Sequence, residues 1–110
     1  MILYNVTIKI DNQLHADWLQ WMLEVHIPDV MATGLFLENK VCRLLGEEDM
    51  DGPTYAVQYL CESMAHFQTY QQMHAARLQK EHSDRYQGHY VAFRTLMQVV
   101  AGSSNVSGWN

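Results

Sequence analysis

Apolar residues alternate with almost no fault from Ile2 to Ile10. Ile2, Tyr4, Val6, Ile8 and Ile10 fall on one side, and Leu3, Asn5, Thr7 and Lys9 on the other. This two-residue period marks a strand with one apolar and one mixed face. Asp11 and Asn12 end it. The period then changes: Trp18, Trp21, Met22 and Val25 recur at i, i+3, i+4 and i+7, one face of a helix over about residues 16–26. Pro28 disfavours a helical Ile27 and predicts a break, followed by a short turn over 29–33 that Gly34 closes as a left-handed cap. A second strand is expected over 35–45 and a third over 54–61. The acidic, turn-rich loop Glu47, Glu48, Asp49, Asp51, Gly52 and Pro53 lies between them, and the short separation predicts an antiparallel hairpin. Ser63 suits the N-cap of a second helix that reaches about Arg85, with Phe67, Gln71, His74, Ala75, Leu78 and His82 along one stripe. After Gly88, a fourth strand over 89–100 sets Val91, Phe93, Thr95, Met97 and Val99 opposite Tyr90, Ala92, Arg94, Leu96 and Gln98. Residues 1–100 read as one domain. Residues 101–110, rich in Ser, Asn and Gly, read as a flexible tail.

The order β-α-β-β-α-β with right-handed crossovers predicts an α+β ferredoxin-like sandwich. Strands 1 and 3 are central in its four-stranded antiparallel sheet, and both helices lie on one face. Val6 and Ile8 are expected beneath Trp18, Trp21 and Phe67. The uncovered face is expected to carry Leu3, Asn5, Thr7, Ala56, Gln58, Leu60, Ala92, Arg94, Leu96 and Gln98. That set is too apolar for a solvent face and too polar for a core, as in a surface that lines a cavity or meets a partner. Leaving Leu3, Leu60 and Leu96 in water forfeits roughly 1.5–3 kcal/mol for each side chain that could be fully buried. A homodimer through this face is therefore expected.

Composition narrows the function more than it names one. The chain has 110 residues, 48% of them hydrophobic, and a formal net charge of -5, enough for a real core and without the basic excess that nucleic acid or an anionic membrane surface demands. No apolar run is long enough to span a bilayer, and the chain opens directly into a strand with no signal pattern. A cytoplasmic location is expected. Cys42 and Cys61 each fall in a strand, where a small buried thiol is ordinary, and neither has a second ligand at metal spacing. His74 and His82 lie two helical turns apart, about 12 Å along the axis, too far to share one ion. No metal and no cofactor are expected, and no catalytic triad or phosphate loop is present.

Several segments together resemble a known group of proteins. They are Tyr4-Asn5-Val6-Thr7, Trp18-Leu19 with Trp21-Met22, His26-Ile27-Pro28-Asp29-Val30 with Gly34-Leu35-Phe36, Tyr55 to Tyr59, His74-Ala75 with Arg77-Leu78, Glu81-His82 and Phe93-Arg94-Thr95-Leu96. Over about residues 1–100 the chain resembles the dimeric α/β barrel superfamily, which includes antibiotic-biosynthesis-type and heme-degrading monooxygenases. It is most similar to a small bacterial family of unknown function within that fold. The resemblance implies two subunits with sheets packed face to face around a barrel, and brings no established activity. It also implies that polar barrel-lining residues and a histidine near a helix serve any chemistry. Asn5 matches a polar strand-1 position of heme-degrading members, whose full His and Trp constellation is not matched here.

Four residues are the candidate ligand-binding set: Asn5, Gln58, Arg94 and His26. Arg94 lies mid-strand among apolar residues, so it reads either as an anchor for an anionic group or as half of a structural ion pair with Glu24, Glu62, Glu81 or the partner subunit. Asn5 and Gln58 either complete a polar patch with it or bond across strands. His26 either acts as a base or ligand contact at the pocket rim or caps the end of helix 1. Trp18 and Trp21 read as core. The leading reading is a homodimeric barrel protein that binds a small, anionic or aromatic molecule in its cavity. The alternatives are a cofactor-free monooxygenase-type enzyme and a module whose open face serves dimerisation alone.

Overall fold

Alternation of buried and exposed positions along β1 (Ile2–Ile10) and β3 (Thr54–Cys61) fixes the centre of the fold. The computed structural model describes residues 1–46 and 50–103. Its four strands form one antiparallel sheet in the order β2-β3-β1-β4, with β2 at Glu38–Arg43 and β4 at Tyr90–Gln98. The expected order, with strands 1 and 3 central, is the order found. Tyr4, Val6, Ile8 and Ile10 face Tyr59, Val57 and Tyr55 across the central pair and are buried beneath Trp18, Met22, Phe67 and Leu78. Trp18 is fully enclosed, whereas Trp21 packs at the rim of the core.

The two helical layers each contain a wide turn. The first runs through α1 (His15–Trp21), a π-turn (Met22–His26) and α2 (Ile27–Ala32). The second runs through α3 (Met64–Tyr70), a π-turn (Gln71–Ala75) and α4 (Ala76–Tyr86). The break expected at Pro28 is absent: the backbone stays helical from His26 through Thr33, and Pro28 occupies the first turn of α2. A proline in a regular helix would meet the carbonyl four residues back and lacks the N–H to bond it. Here the preceding turn is widened, with the Ile27 N–H reaching Met22 O. The extra residue per turn also moves the inward stripe by one position. Met22 is followed inward by His26 and Ile27, while Val25 points outward at 42% exposure. His26 therefore does not cap a helix end. The caps at Gly34 and Ser63 are as the sequence implies: Gly34 has a positive φ and bonds Met31 O, and Ser63 Oγ accepts from the His66 N–H.

β2 is shorter than the expected 35–45 and begins only at Glu38, because Phe36 turns into the core against Tyr4, Tyr59 and Tyr70 instead of alternating. Gly52 closes the chain against β1. A Cβ there would collide with the Ile10 carbonyl, and the backbone bonds Ile10 N to Pro53 O and Asn12 N to Asp51 O lock the approach. Cys61 is buried, but Cys42 is exposed on edge strand β2, and both are free thiols. Among the described residues no helix is long and apolar enough to cross a membrane. Glu47–Asp49 of the acidic loop, and the tail from residue 104, lie outside the described residues.

The parity of β4 overturns the sequence reading. Tyr90 pairs with Ile10, Ala92 with Ile8, Arg94 with Val6 and Leu96 with Tyr4. Directly opposed residues share a face, so the row holding Arg94 lies on the helix-covered side. The apolar row of Val91, Phe93 and Met97 opposes Lys9, Thr7 and Leu3 on the open side. The expectation had been that the more apolar row faces the core. Pairing to β1 decides instead, and it is fixed where Tyr90 turns inward onto His82 at 4.5 Å between ring centroids and places its hydroxyl 2.8 Å from Ser83 Oγ.

Candidate functional site

The altered parity divides the four candidate residues between two faces. Asn5 and Gln58 are cross-strand neighbours on the open face, while Arg94 and His26 line one cavity on the helix-covered side. The expectation of a single patch joining Arg94 to Asn5 and Gln58 is therefore corrected: a strand cannot present neighbours of opposite parity to one side. Arg94 is also not a buried charge. It is exposed on edge strand β4, and no carboxylate pairs with it in the ion pairs found among the described residues.

The cavity lies between the helical layer and the β1–β4 half of the sheet. Helix 15–32 contributes Met22, His26 and Val30, α4 contributes Gln79 and His82, and β4 contributes Ala92 and Arg94. Tyr4 forms part of its floor beside two donor side chains, those of Arg94 and Gln79. Burial raises the Tyr4 pKa, and those two donors oppose the rise. Tyr59 and Tyr70 are likewise pushed well above the usual phenol range by burial. All three phenols remain protonated near neutral pH.

His82 and His26 are held uncharged. Burial is the main cause of His82's fall to about 4, and His26 and Arg94 add to it. Burial likewise lowers His26 to about 4; Asp29 opposes the shift and Arg94 adds to it. The Trp18 indole N–H donates to His82 Nε2 at 2.9 Å. Indole is a donor only, so His82 carries its proton on Nδ1. His26 stacks on Trp21 at 5.0 Å and meets His82 edge-on at 5.8 Å. Its Nδ1 is buried without a hydrogen-bond partner. Such an orphaned buried polar atom in a lined cavity calls for an explanation. The arrangement is thus one fixed guanidinium, two neutral imidazoles and a wall of aromatic rings.

The open face holds a second orphan. Asn5 Nδ2 donates to Thr7 Oγ1 at 2.9 Å, while Asn5 Oδ1 is buried without a partner. Around it lie Leu3, Leu60 and the outward row of β4, in which Val91 is 71% and Phe93 61% exposed. The remaining histidines are engaged locally. His66 pairs with Ser63, His15 with Tyr55, His74 with Arg77 and His89 with Asp11. Among the described residues no three groups are placed to hold a metal ion.

Sequence reasoning named Arg94 and His26 but missed Tyr4, Gln79 and His82 as their companions. The signal for two of them was present, as polar atoms at inward positions of β1 and of the second helix's stripe. Gln79 carried no such signal.

This fold, a four-stranded antiparallel sheet with its helices on one face, is that of the dimeric ferredoxin-like proteins. The chain belongs to DUF4286, a domain family of unknown function, whose model matches residues 1–100. No curated protein matches it. Among solved structures it is similar to a dimeric ferredoxin-like protein from an uncultured marine organism, with TM-score 0.70, 13% identity and coverage of 94% of this chain and 99% of that one. It is also similar to the heme-degrader MhuD of Mycobacterium tuberculosis, solved with two hemes in its active site, with TM-score 0.69, 14% identity and coverage of 94% and 100%. A provisionally assigned antibiotic biosynthesis monooxygenase from Deinococcus radiodurans gives TM-score 0.66 at 12% identity, with coverage of 98% and 100%. Identities this low show the shared fold alone.

Proposed function

We propose that the protein is a homodimer, joined through its open sheet faces, that binds a small molecule in the cavity beneath its helices. The observation that carries the binding reading is the cavity itself: the partnerless His26 Nδ1 in its wall, with the Arg94 guanidinium, which has no ion pair among the described residues, at its edge. A core built only for stability has no use for an orphaned buried nitrogen. Dimerisation is supported by the outward apolar row of β4 and by neighbours described as dimeric. Asn5 and Gln58 then face the interior of the barrel, where Asn5 Oδ1 meets a donor from the partner sheet.

Mass spectrometry of small molecules released from the purified protein tests the binding reading. A stoichiometric ligand supports it, provided that Arg94→Gln, a change at an exposed edge position, releases that ligand. Sedimentation velocity tests the assembly. A monomer at micromolar concentration overturns it.

A further inference from the structure

The seam between the two helical layers is built around one imidazole. From α4, His82 meets Trp18 edge-on at 6.5 Å, Trp21 at 5.9 Å and His26 at 5.8 Å between ring centroids. Tyr90 of β4 closes on it at 4.5 Å. One of these contacts depends on the protonation state. The Trp18 indole N–H donates to His82 Nε2 at 2.9 Å, and Trp18 is fully buried. A charged imidazole carries a proton on both nitrogens. Protonating His82 therefore sets two N–H donors against each other and leaves the enclosed indole without its acceptor, a costly state for a buried donor. We propose that His82 is a proton-operated latch: uncharged, it fastens helix 15–32 to α4, and charged, it releases the π-turn and α2, residues 22–32.

The surroundings offer a charged His82 little in exchange. His26, on the π-turn, gains charge in the same direction, and Arg94 of β4 is already a cation. The phenols facing the seam, Tyr4 of β1, Tyr59 of β3, Tyr70 of α3, Tyr86 of α4 and Tyr90 of β4, carry no charge in acid. Asp29 of α2 is the carboxylate that acts on the pair; it is exposed and favours charge on His26. The enclosed space is about 30 Å³, room for about one or two water molecules, so a hydrated counter-ion does not fit. Contacts without a histidine hold the start of the helix: the Tyr86 hydroxyl donates to Asp17 Oδ2 at 2.7 Å, and Arg85 Nη2 lies 3.6 Å from the same oxygen. The release therefore runs from Met22 onward, where the wide turn already departs from regular helix, and leaves the central strands in place. Burial sets the pH. In the closed seam His82 stays neutral down to about 4, whereas a freed imidazole charges near 6.5. Opening is favoured as the pH falls through that window and not above it. The latch needs no ligand in the cavity.

Amide hydrogen exchange of the full chain at pH 7.5 and pH 5 tests this, read together with the NMR signals of the Trp18 indole N–H and the His82 ring. Protection of residues 22–32 is expected to fall about thirtyfold between the two conditions. At pH 5 it should lie well below the protection of β1 and β3. The Trp18 indole proton, slow to exchange at pH 7.5, should exchange fast at pH 5. His82→Gln, whose side-chain oxygen can accept from the indole and does not titrate, should keep residues 22–32 protected at pH 5. Equal protection of residues 22–32 and of β1 and β3 at pH 5 means that acid unfolds the chain as a whole, and overturns the latch. A loss of protection that is as large in His82→Gln overturns it too. So does a His82 ring that charges above pH 5 while the Trp18 indole signal stays unmoved. That last measurement uses the unaltered chain and decides the matter should His82→Gln fail to fold.

Discussion

β1 and β4 run side by side, yet they turn their apolar rows to opposite faces of the sheet. On β1 the inward residues Tyr4, Val6, Ile8 and Ile10 are at most 9% exposed, and the outward row holds Asn5, Thr7 and Lys9. On β4 the inward row holds Ala92, Arg94 and Leu96, while Val91, Phe93 and Met97 point outward. A central strand is flanked on both sides, and its parity serves the protomer's own core. An edge strand has one neighbour and less helix above it, so its inward row is free to carry a charge, Arg94. Its outward row then carries apolar surface that only another surface can bury.

The largest effect expected from this contrast lies in stability. Ile10, inward on β1 and fully buried, should lose about 2–5 kcal/mol on replacement by alanine. Phe93, larger but outward on β4, should cost the isolated protomer less than about 1 kcal/mol on the same change. Urea unfolding at protein concentrations below dimer formation reads both. Comparable losses would mean that β4's outer row packs within the protomer.

Acid should act on the inward side. His82, 7% exposed, has a folded pKa of about 4 against an unfolded value near 6.5. Above pH 6.5 both states are neutral and stability does not depend on this group. As the pH falls from 6.5 towards 4, only the unfolded chain takes up the proton, so stability is lost with falling pH and the loss levels off below about 4. At pH 5 the loss is about 2 kcal/mol from His82. The half-buried His26, lowered for the same reason, contributes less because solvent screens it. The groups facing the pair are Asp29 from α2, Arg94 from β4 and the Tyr4 and Tyr90 hydroxyl-bearing rings. Denaturant unfolding at pH 7.5 and pH 5 should show the loss, and His82→Gln should remove most of it. A flat profile in the unaltered protein would show that the imidazole pair charges in place.

Much of this fold was legible in the sequence, and the site was legible only in part. The alternation of β1 and β3 and the caps at Ser63 and Gly34 follow from local chemistry, and the structure shows them where the sequence puts them. Pro28 misled because a proline's local clash can be relieved by widening the preceding turn, and a π-turn leaves no periodic mark of its own. Once that turn is known, His26 follows Met22 inward as a matter of register. β4 misled for a different reason. Choosing the apolar row as the inner one assumes that all apolar burial happens inside one chain. Arg94 reads from the sequence as a buried charge, yet it is exposed, and its face depended on which residue of β4 meets Ile10, which is set by the tertiary contact of Tyr90 with His82 and Ser83.

Phe93→Glu tests the outward row directly. A charge placed where an aromatic side chain meets a partner sheet should weaken self-association by about 2 kcal/mol or more, roughly thirtyfold, while protomer stability stays within about 1 kcal/mol. Concentration-dependent sedimentation separates the two quantities. Unchanged association would place the partner elsewhere, on a surface that does not include β4.

The smallest effect belongs to Val91, the outward residue at the start of β4, 71% exposed. It pairs with Lys9 at the sheet's end, two residues before Phe93 on the same face. Val91→Thr keeps the β-branched shape that suits a strand and changes only a methyl into a hydroxyl that already meets water. The expected change in protomer stability is within about 0.5 kcal/mol. The value of so mild a substitution is where it would show. If the dimer interface extends along the whole outward row, the introduced hydroxyl loses its water on association, and the dimer weakens by about 1 kcal/mol while the protomer is unmoved. If the interface centres on Phe93 and Met97, association is unmoved as well. Measuring the dimer constant of Val91→Thr beside that of Phe93→Glu therefore maps how far along β4 the contact runs, and a protomer loss above about 1 kcal/mol would break the division between the two strands.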